Sequence, residues 1–450
     1  MTPTLSAYAT RAVPRYTSYP TVPHFTDAVG PADHSAWLAQ VPADQPISLY
    51  LHVPFCRQMC WYCGCNMKLA ARDAPIAQYA ATLLREIDLI AARLPTRMTV
   101  SHLHWGGGTP TALSPDDLAR LMDRVRMHFD FTSDAELAIE SDPRTLKLDM
   151  IRRIGTLGFN RASFGVQEFD PQVQLAINRI QPPDMVRASV DGLRDNGISD
   201  INFDLIYGLP HQTVKTLINT IEICAAMQPN RIALFGYAHV PWMAKAQRLI
   251  DASALPGAAE RLQQAKLAAQ VLVDIGYRAV GLDHFALPGD PLAIAAQRGK
   301  LRRNFQGYTN DTTETLLGLG ATSIGRTPFS YTQNVAETRG WSRAVAAGRP
   351  PIAKGRALTR DDKMRAAVIE ALMCQGAVDL AAISQQFDTA PDWHADSAAE
   401  LAQMETDGLI VREGENIVQM TQAGAPLVRT VAAVFDAYLK PSAAVHSVAV

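Results

Sequence analysis

Four of the six cysteines fall within one ten-residue segment: Cys56, Cys60, Cys63 and Cys65. Crowding of that kind in a 450-residue chain points to a metal centre rather than a disulfide framework. Three thiolates spaced C-x3-C-x2-C reach three corners of a 4Fe–4S cube from one loop and leave the fourth iron without a cysteine from that triplet. An open iron is a site for chemistry, whereas four thiolates make a closed electron-transfer centre. The alternative is a zinc knuckle of four cysteines, although zinc ribbons take two pairs well separated in sequence. Cys224 and Cys374 stand alone in apolar, helix-like stretches and read as small buried hydrophobes. A second feature is the run Gly106-Gly107-Gly108-Thr109-Pro110. Residues without a β-carbon let a ligand lie against bare backbone, and a tight strand-to-helix turn uses the same composition. The run lacks the Lys-Ser/Thr of a phosphate loop and the spacing of a dinucleotide fingerprint.

The elements that must position these residues alternate regularly. Short β-rich runs at 47–53, 100–105, 136–140, 161–166, 201–206 and 231–237 are separated by amphipathic stretches at 76–94, 115–128, 148–157, 182–196 and 213–227. Such βα units in a row imply an α/β fold with a parallel sheet and right-handed crossovers. The cysteine loop, the glycine run, Glu140, Gln167 and Asp204 all fall at strand C-terminal ends, where a parallel barrel builds its active site. An open doubly wound sheet shares this local pattern.

Residues 1–45 are rich in Pro, Thr and Tyr and read as an extension or lid; 46–285 read as the catalytic barrel. In 286–358 the alternation fades, and this segment is expected to complete the site. A C-terminal domain, 359–450, is expected to be small, mostly helical and winged-helix-like, with helices at 361–373 and 398–407 and a hairpin through 409–411 and 417–420. That module has acidic residues among its few basic ones, so a packing role is expected of it. The chain is 48% apolar and 19% charged, which excludes a disordered or fibrous protein. Lys and Arg number 42 against 44 Asp and Glu, a balance that argues against nucleic-acid binding through general basicity. No apolar run approaches the roughly 18 residues of a transmembrane helix. The first residues lack a signal-peptide pattern. A cytoplasmic protein with no membrane partner is expected, and nothing demands more than a monomer.

The cysteine triplet after the first strand and Gly-Gly-Thr-Pro after the second resemble the signature of the radical S-adenosylmethionine (SAM) superfamily. The resemblance narrows to one family. Pro14-Arg15-Tyr16-Thr17-Ser18-Tyr19-Pro20-Thr21, Cys63-Gly64-Cys65-Asn66 and Asp204-Leu205-Ile206-Tyr207-Gly208-Leu209-Pro210 are similar to segments of oxygen-independent coproporphyrinogen III oxidases. So are Asp283-His284-Phe285-Ala286, Arg303-Asn304-Phe305-Gln306-Gly307-Tyr308-Thr309 and Ala357-Leu358-Thr359-Arg360-Asp361-Asp362.

The resemblance implies a partial (β/α)6 TIM-like barrel, a 4Fe–4S cluster on Cys56, Cys60 and Cys63, and SAM on the open iron. It also implies a second SAM molecule beside the first. Tyr50, Gly107 and Glu140 are then expected at the first, and Tyr62, Gly108, Thr109, Gln167, Arg179, Asp204, Ala238 and Ile324 at the second. Glu140 and Asp204 suit an amine or a ribose hydroxyl, and Arg179 suits a carboxylate. Taken singly, Glu140 could cap a helix and Arg179 could form a surface ion pair. Gly236 stands where family members can carry Asn. Cys65 is expected outside the ligand set but needed for catalysis. The implied reaction turns two propionates of coproporphyrinogen III into vinyl groups, drawing on an external one-electron donor and an electron acceptor. Arg15, Arg302 and Arg303 are candidates to meet the substrate's carboxylates. A related haem chaperone without decarboxylase activity, or a non-catalytic metal-binding module, is the alternative. The chaperone typically lacks both the cysteine at position 65 and the Arg15–Pro20 segment that this chain carries.

Overall fold

In a computed structural model of the chain, residues 7–439 are described. The first strand, β1 (Ile47–Val53), is buried along its whole length apart from Tyr50, as a strand inside a parallel sheet must be. It is followed by β2 (Thr99–Gly107), β3 (Asp130–Ser141), β4 (Arg161–Gln167), β5 (Asp200–Tyr207) and β6 (Arg231–Gly236). Each pairs in parallel with the next. The register sets Val53 against Gly107, Glu140 against Ser163, Gly165 against Asp204 and Tyr207 against Gly236. The strand C-terminal ends thus share one edge.

The intervening helices are α1 (Ala74–Ala91), α2 (Pro115–His128), α3 (Leu148–Thr156), α4 (Pro183–Asp195) and α5 (Val214–Ala225). In α2 the apolar positions Leu118, Leu121, Met122 and Val125 are buried at helical spacing. Ser114 caps that helix by accepting from the Asp117 N–H at 3.0 Å. Asp116 and Asp117 in the first turn and Arg126 and His128 in the last complement its dipole. The result is the expected partial (β/α)6 barrel. Cys224 is fully buried on α5, as its apolar surroundings suggested.

Where alternation faded in the sequence, the structure has more strands. β7 (Leu316–Leu319) pairs in parallel with β1, and β8 (Ile324–Thr327), β9 (Ser330–Asn334) and β10 (Ile352–Ala357) extend that side antiparallel. Sequences such as Gly-Arg-Thr-Pro-Phe-Ser-Tyr-Thr-Gln-Asn are polar at most positions, so they lack the apolar runs that marked β1 to β6. A fully buried carboxylate ties this addition to the barrel. Glu86 of α1 accepts from Gly320 N–H at 2.7 Å, Asn334 Nδ2 at 2.7 Å and Trp341 Nε1 at 3.0 Å. Burial still pushes its pKa up to about 7 against those three donors.

The compact units therefore differ from the sequence boundaries. Residues 26–277 and 313–357 form one; 7–25, 278–312 and 358–439 form the other. Residues 1–6 of the expected extension and 440–450 of the expected C-terminal domain lie outside the described residues. The second unit contains α6 (Arg360–Gln375), β11 (Ala377–Asp379), α7 (Leu380–Gln386), α8 (Ala398–Thr406), β12 (Ile410–Glu413) and β13 (Ile417–Met420). Its sheet order, β11-β13-β12, with this helix-strand-helix-helix-strand-strand sequence, is winged-helix-like. Tyr8, Tyr16 and Tyr19 join the core of this unit. Tyr8 and Tyr16 donate to Asp407 at 2.7 Å and Asp436 at 3.0 Å. The aromatic N-terminal segment is thus bound by phenols within this unit.

Replacing Glu86 with Ala leaves the buried Gly320 N–H and Trp341 Nε1 unpaired, while Asn334 Nδ2 keeps Gly320 O, and is expected to lower stability by at least about 2 kcal/mol. Urea unfolding checks this, with the exposed Glu222→Ala as control. Equal stability of the two variants would contradict the tie.

Candidate active site

The cysteine loop has little regular structure of its own and is held from outside. Its two ends pair in a short parallel ladder, Phe55 with Lys68 and Cys56 with Leu69. Arg57 donates to Ala70 O at 3.1 Å and pairs with Asp73. Trp61 N–H donates to Ile177 O at 3.0 Å, and Asn178 Nδ2 donates to Met59 O at 2.7 Å. The loop is thus fastened to the turn at 177–178, which ends the short helix Pro171–Ala176 after β4.

The glycine run fastens it on the other side, in a way the sequence did not announce. A β-carbon on Gly108 would lie 2.8 Å from the Phe55 backbone N and O, and one on Gly106 would lie 2.7 Å from Glu140 Oε1. One on Gly107, whose φ is +116°, would lie 2.5 Å from the His52 ring. The bare backbone receives protein atoms: the loop packs against it, and Gly108 N–H donates to Val53 O at 2.9 Å. Gly236 is similar, since its missing β-carbon leaves room for the Tyr207 hydroxyl.

One cavity gathers most of the expected site. Cys56, Cys60, Cys63, Cys65, Tyr62, Gly107, Gly108, Thr109, Glu140, Gln167, Arg179 and Asp204 line it, with Gln58, Met67, Ser141, Asp142, Arg144, Ser163 and Gly165. Three expected residues are not among its lining. Tyr50 stands beside it, its hydroxyl 2.9 Å from His52 Nδ1 and its ring stacked on His104. Ala238 offers its carbonyl to Gln247 Nε2 at 3.1 Å. Ile324 opens β8 and pairs with Gln333. Arg179 is no surface ion pair: it is 5% exposed, donates to Cys60 Sγ at 3.2 Å and lies 3.5 Å from Asp142. Glu140 caps no helix; Gly107 N–H donates to its Oε2 at 3.1 Å, and its Oε1 lies 3.0 Å from His104 Nε2.

Sequence reasoning missed His52, His104, Asp142 and Arg144. The last two directly follow Glu140 at the end of β3, so the strand-end rule that selected Glu140 could have found them.

The electrostatics of the lining are uneven. Burial, with the Glu140 charge, pushes Asp204 up to about 7. Burial also pushes the Cys56 thiol up to about 11, whereas hydrogen bonding from Cys65 pulls Cys63 down. Gln167 has φ of +68° and a buried Oε1 with no hydrogen-bond partner, an acceptor that a ligand would satisfy. Among the described residues no group of three or more His, Cys, Asp or Glu side chains is arranged around a single metal ion. A cube asks its protein for three thiolates and leaves one corner open, and the three cysteines of the triplet line one cavity together with Cys65.

Residues 50–224 match the Radical SAM superfamily and 358–427 match the HemN C-terminal domain. An oxygen-independent coproporphyrinogen III oxidase of Bradyrhizobium diazoefficiens is 47% identical over 99% of this chain and 98% of its own length. One of Escherichia coli is 39% identical over 96% and 94%. The solved structure of the Escherichia coli coproporphyrinogen III oxidase, HemN, described as a radical SAM enzyme, covers 95% of this chain and 100% of its own. It superposes with a TM-score of 0.90 at 38% identity. The chain belongs to the oxygen-independent coproporphyrinogen III oxidases. Membership of this radical SAM family brings a 4Fe–4S cluster and SAM as cofactors. No helix among the described residues is long and apolar enough to cross a membrane.

A Gly108→Ala substitution would drive a methyl group into the Phe55 backbone. It is expected to cut iron content after reconstitution severalfold while leaving helix content unchanged by circular dichroism. Full iron incorporation would show that the glycine run does not hold the loop.

Proposed function

We propose that this chain catalyses the oxygen-independent oxidative decarboxylation of two propionate side chains of coproporphyrinogen III to vinyl groups, giving protoporphyrinogen IX. The observation that carries the reading is the convergence of four cysteines with Glu140, Gln167 and Asp204, from three successive strands, on one cavity. Cys56, Cys60 and Cys63 would hold a 4Fe–4S cluster, which with SAM and an external one-electron donor would supply a primary 5′-deoxyadenosyl radical. Each propionate then gives up a β-hydrogen, CO2 and one further electron, the electron passing to an external acceptor.

The residues of the cavity bind and orient. Glu140, fixed by His104 and the Gly107 N–H, presents a carboxylate to an amine or hydroxyl. Gln167 presents an unpaired oxygen, and Asp204 sits near its titration point at neutral pH. Two groups of acceptors, Glu140 beside Tyr50 and Gln167 with Asp204, support two SAM molecules. Tyr62, Gly108, Thr109 and Arg179 belong with the second group. Placing Ala238 and Ile324 there rests on family resemblance alone. Cys65 is exposed and next to the triplet; its place is beside the cluster, as a group needed for decarboxylation. Enclosure matters because a primary radical would be quenched by solvent.

The candidates for the substrate's carboxylates separate. Arg302 Nη1 is engaged by Glu370 Oε2 at 2.7 Å. Arg303 has its Cζ 4.4 Å above the Tyr308 ring, and its buried Nε and Nη1 have no hydrogen-bond partner. Arg15 is exposed. Arg303, with Arg15, is therefore the carboxylate-binding choice.

Anaerobic incubation of reconstituted protein with reductant, SAM and coproporphyrinogen III should give the divinyl product. SAM cleavage with the porphyrinogen unchanged would overturn the reading. In that assay Cys65→Ser should keep a SAM-responsive cluster spectrum and lose product; loss of iron in step with activity would make Cys65 a ligand instead.

Arg303→Ala should raise the half-saturating porphyrinogen concentration about tenfold, the loss of one charge-assisted contact, with uncoupled SAM cleavage intact. Arg302→Ala should leave it near wild type. Equal effects of the two would remove Arg303 from the site.

A further inference from the structure

Asp142 and Arg144, in the turn that ends β3, form a buried ion pair that the proposed reaction does not yet use. Arg144 Nη2 donates to Cys60 Sγ at 3.1 Å, and Arg179 Nη1 donates to the same sulfur at 3.2 Å. Asp142 orients both guanidinium groups. Its Oδ2 takes Arg144 Nη2 at 2.6 Å, its two oxygens take Arg144 Nε at 3.0 and 3.2 Å, and its Oδ1 lies 3.5 Å from Arg179 Nη2. The side chains are 3%, 6% and 10% exposed for Arg144, Arg179 and Asp142. Little water screens them. The three cysteines of the triplet are not equivalent in their surroundings. Cys56 Sγ has the Thr109 hydroxyl at 3.5 Å, and Cys63 Sγ has the Cys65 N–H at 3.4 Å. The hydrogen-bond donors there are neutral, although the Arg179 charge also reaches Cys63, whereas Cys60 takes two cationic donors that share one anion, a net charge of +1.

We propose that Arg144, acting with Arg179 and held by Asp142, sets the reduction potential of the cluster through N–H···S hydrogen bonds to Cys60. The inference rests on Cys60 being a cluster ligand. Reduction adds an electron to a cluster whose charge is shared by its thiolate sulfurs. Buried donors and a net positive charge at one sulfur stabilise the more negative state and raise the potential. An external donor then has a smaller gap to cross. Asp142 keeps the donors from swinging away and limits the excess charge. Arg144 is thus a positioning and tuning residue; nothing in its geometry brings it to the reacting carbon.

The test compares wild type with Arg144→Lys and Arg144→Gln, after iron and sulfide content are matched, by redox titration followed by electron paramagnetic resonance. Arg153→Gln, at a half-buried arginine that pairs with Asp116, serves as control. At the wild-type midpoint, the reduced-to-oxidised ratio is expected to fall about tenfold in Arg144→Gln, a shift of about 59 mV for a one-electron couple. Arg144→Lys, which keeps a cation but loses the fork, should lie between, and Arg153→Gln should match wild type. Both Arg144 variants titrating with wild type at full iron content would overturn the proposal. So would an iron-depleted Arg144→Gln protein, because a residue that tunes the cluster is not one that holds it. Wild-type protein without a cluster after reconstitution would instead refute the ligand assignment, and it is read before any variant is made.

Discussion

The rest of the site depends on one constraint: a loop of irregular backbone must present three sulfurs to a cavity while a fourth position stays open. Such a loop has too few internal hydrogen bonds to hold itself. The structure answers by fastening it at both sides. On one side the glycine run lets the Phe55 backbone come within reach of the end of β2, and on the other the 177–178 turn bonds to Met59 and Trp61. The parallel register of β1 and β2, which sets Val53 against Gly107, decides where the first of these falls.

The charges of the cavity are of both signs. The cations Arg144 and Arg179 are turned towards Cys60. The acceptors Glu140, Gln167 and Asp204 lie on the ends of β3, β4 and β5, with the Gln167 amide beside Arg179 at Gly165. Anionic sulfur beside cations and carboxylates beside an incoming amine or sulfonium are the pairings that a low-dielectric site rewards. The raised Asp204 shows what happens before a partner arrives: a buried carboxylate beside Glu140 prefers to hold its proton near neutrality. Because its folded pKa lies above the ordinary carboxylate value, Asp204 costs stability progressively as pH rises from about 4 to about 7 in protein without ligand.

What could be read from the sequence was what is local. The C-x3-C-x2-C spacing, the glycine run and the continuous apolar strands each declare themselves within ten residues, and the strand-end rule placed Glu140, Gln167 and Asp204 correctly on one edge. What could not be read was set by partners far along the chain. β3 starts at Asp130 rather than near 136, because its first residues pair with β2 although they are polar. β7 to β10 gain their place from β1 and Glu86. Arg302 and Arg303 are adjacent and alike in sequence, yet the Arg302 side chain goes to Glu370, far along the chain, and that of Arg303 lies over Tyr308. The glycines were expected to make room for a ligand, and the room is taken by Phe55, His52 and Glu140. Bare backbone in a sequence shows that something comes close without showing what.

In the proposed site three thiolates hold the cluster and one iron is left for SAM. Mössbauer spectroscopy of protein reconstituted with 57Fe tests it most directly, because each iron reports its own ligands. Addition of SAM should shift the signal of one iron in four and leave the other three unchanged. Four irons indifferent to SAM would mean a closed cluster, with Cys65 or another residue on the fourth corner, and would contradict it.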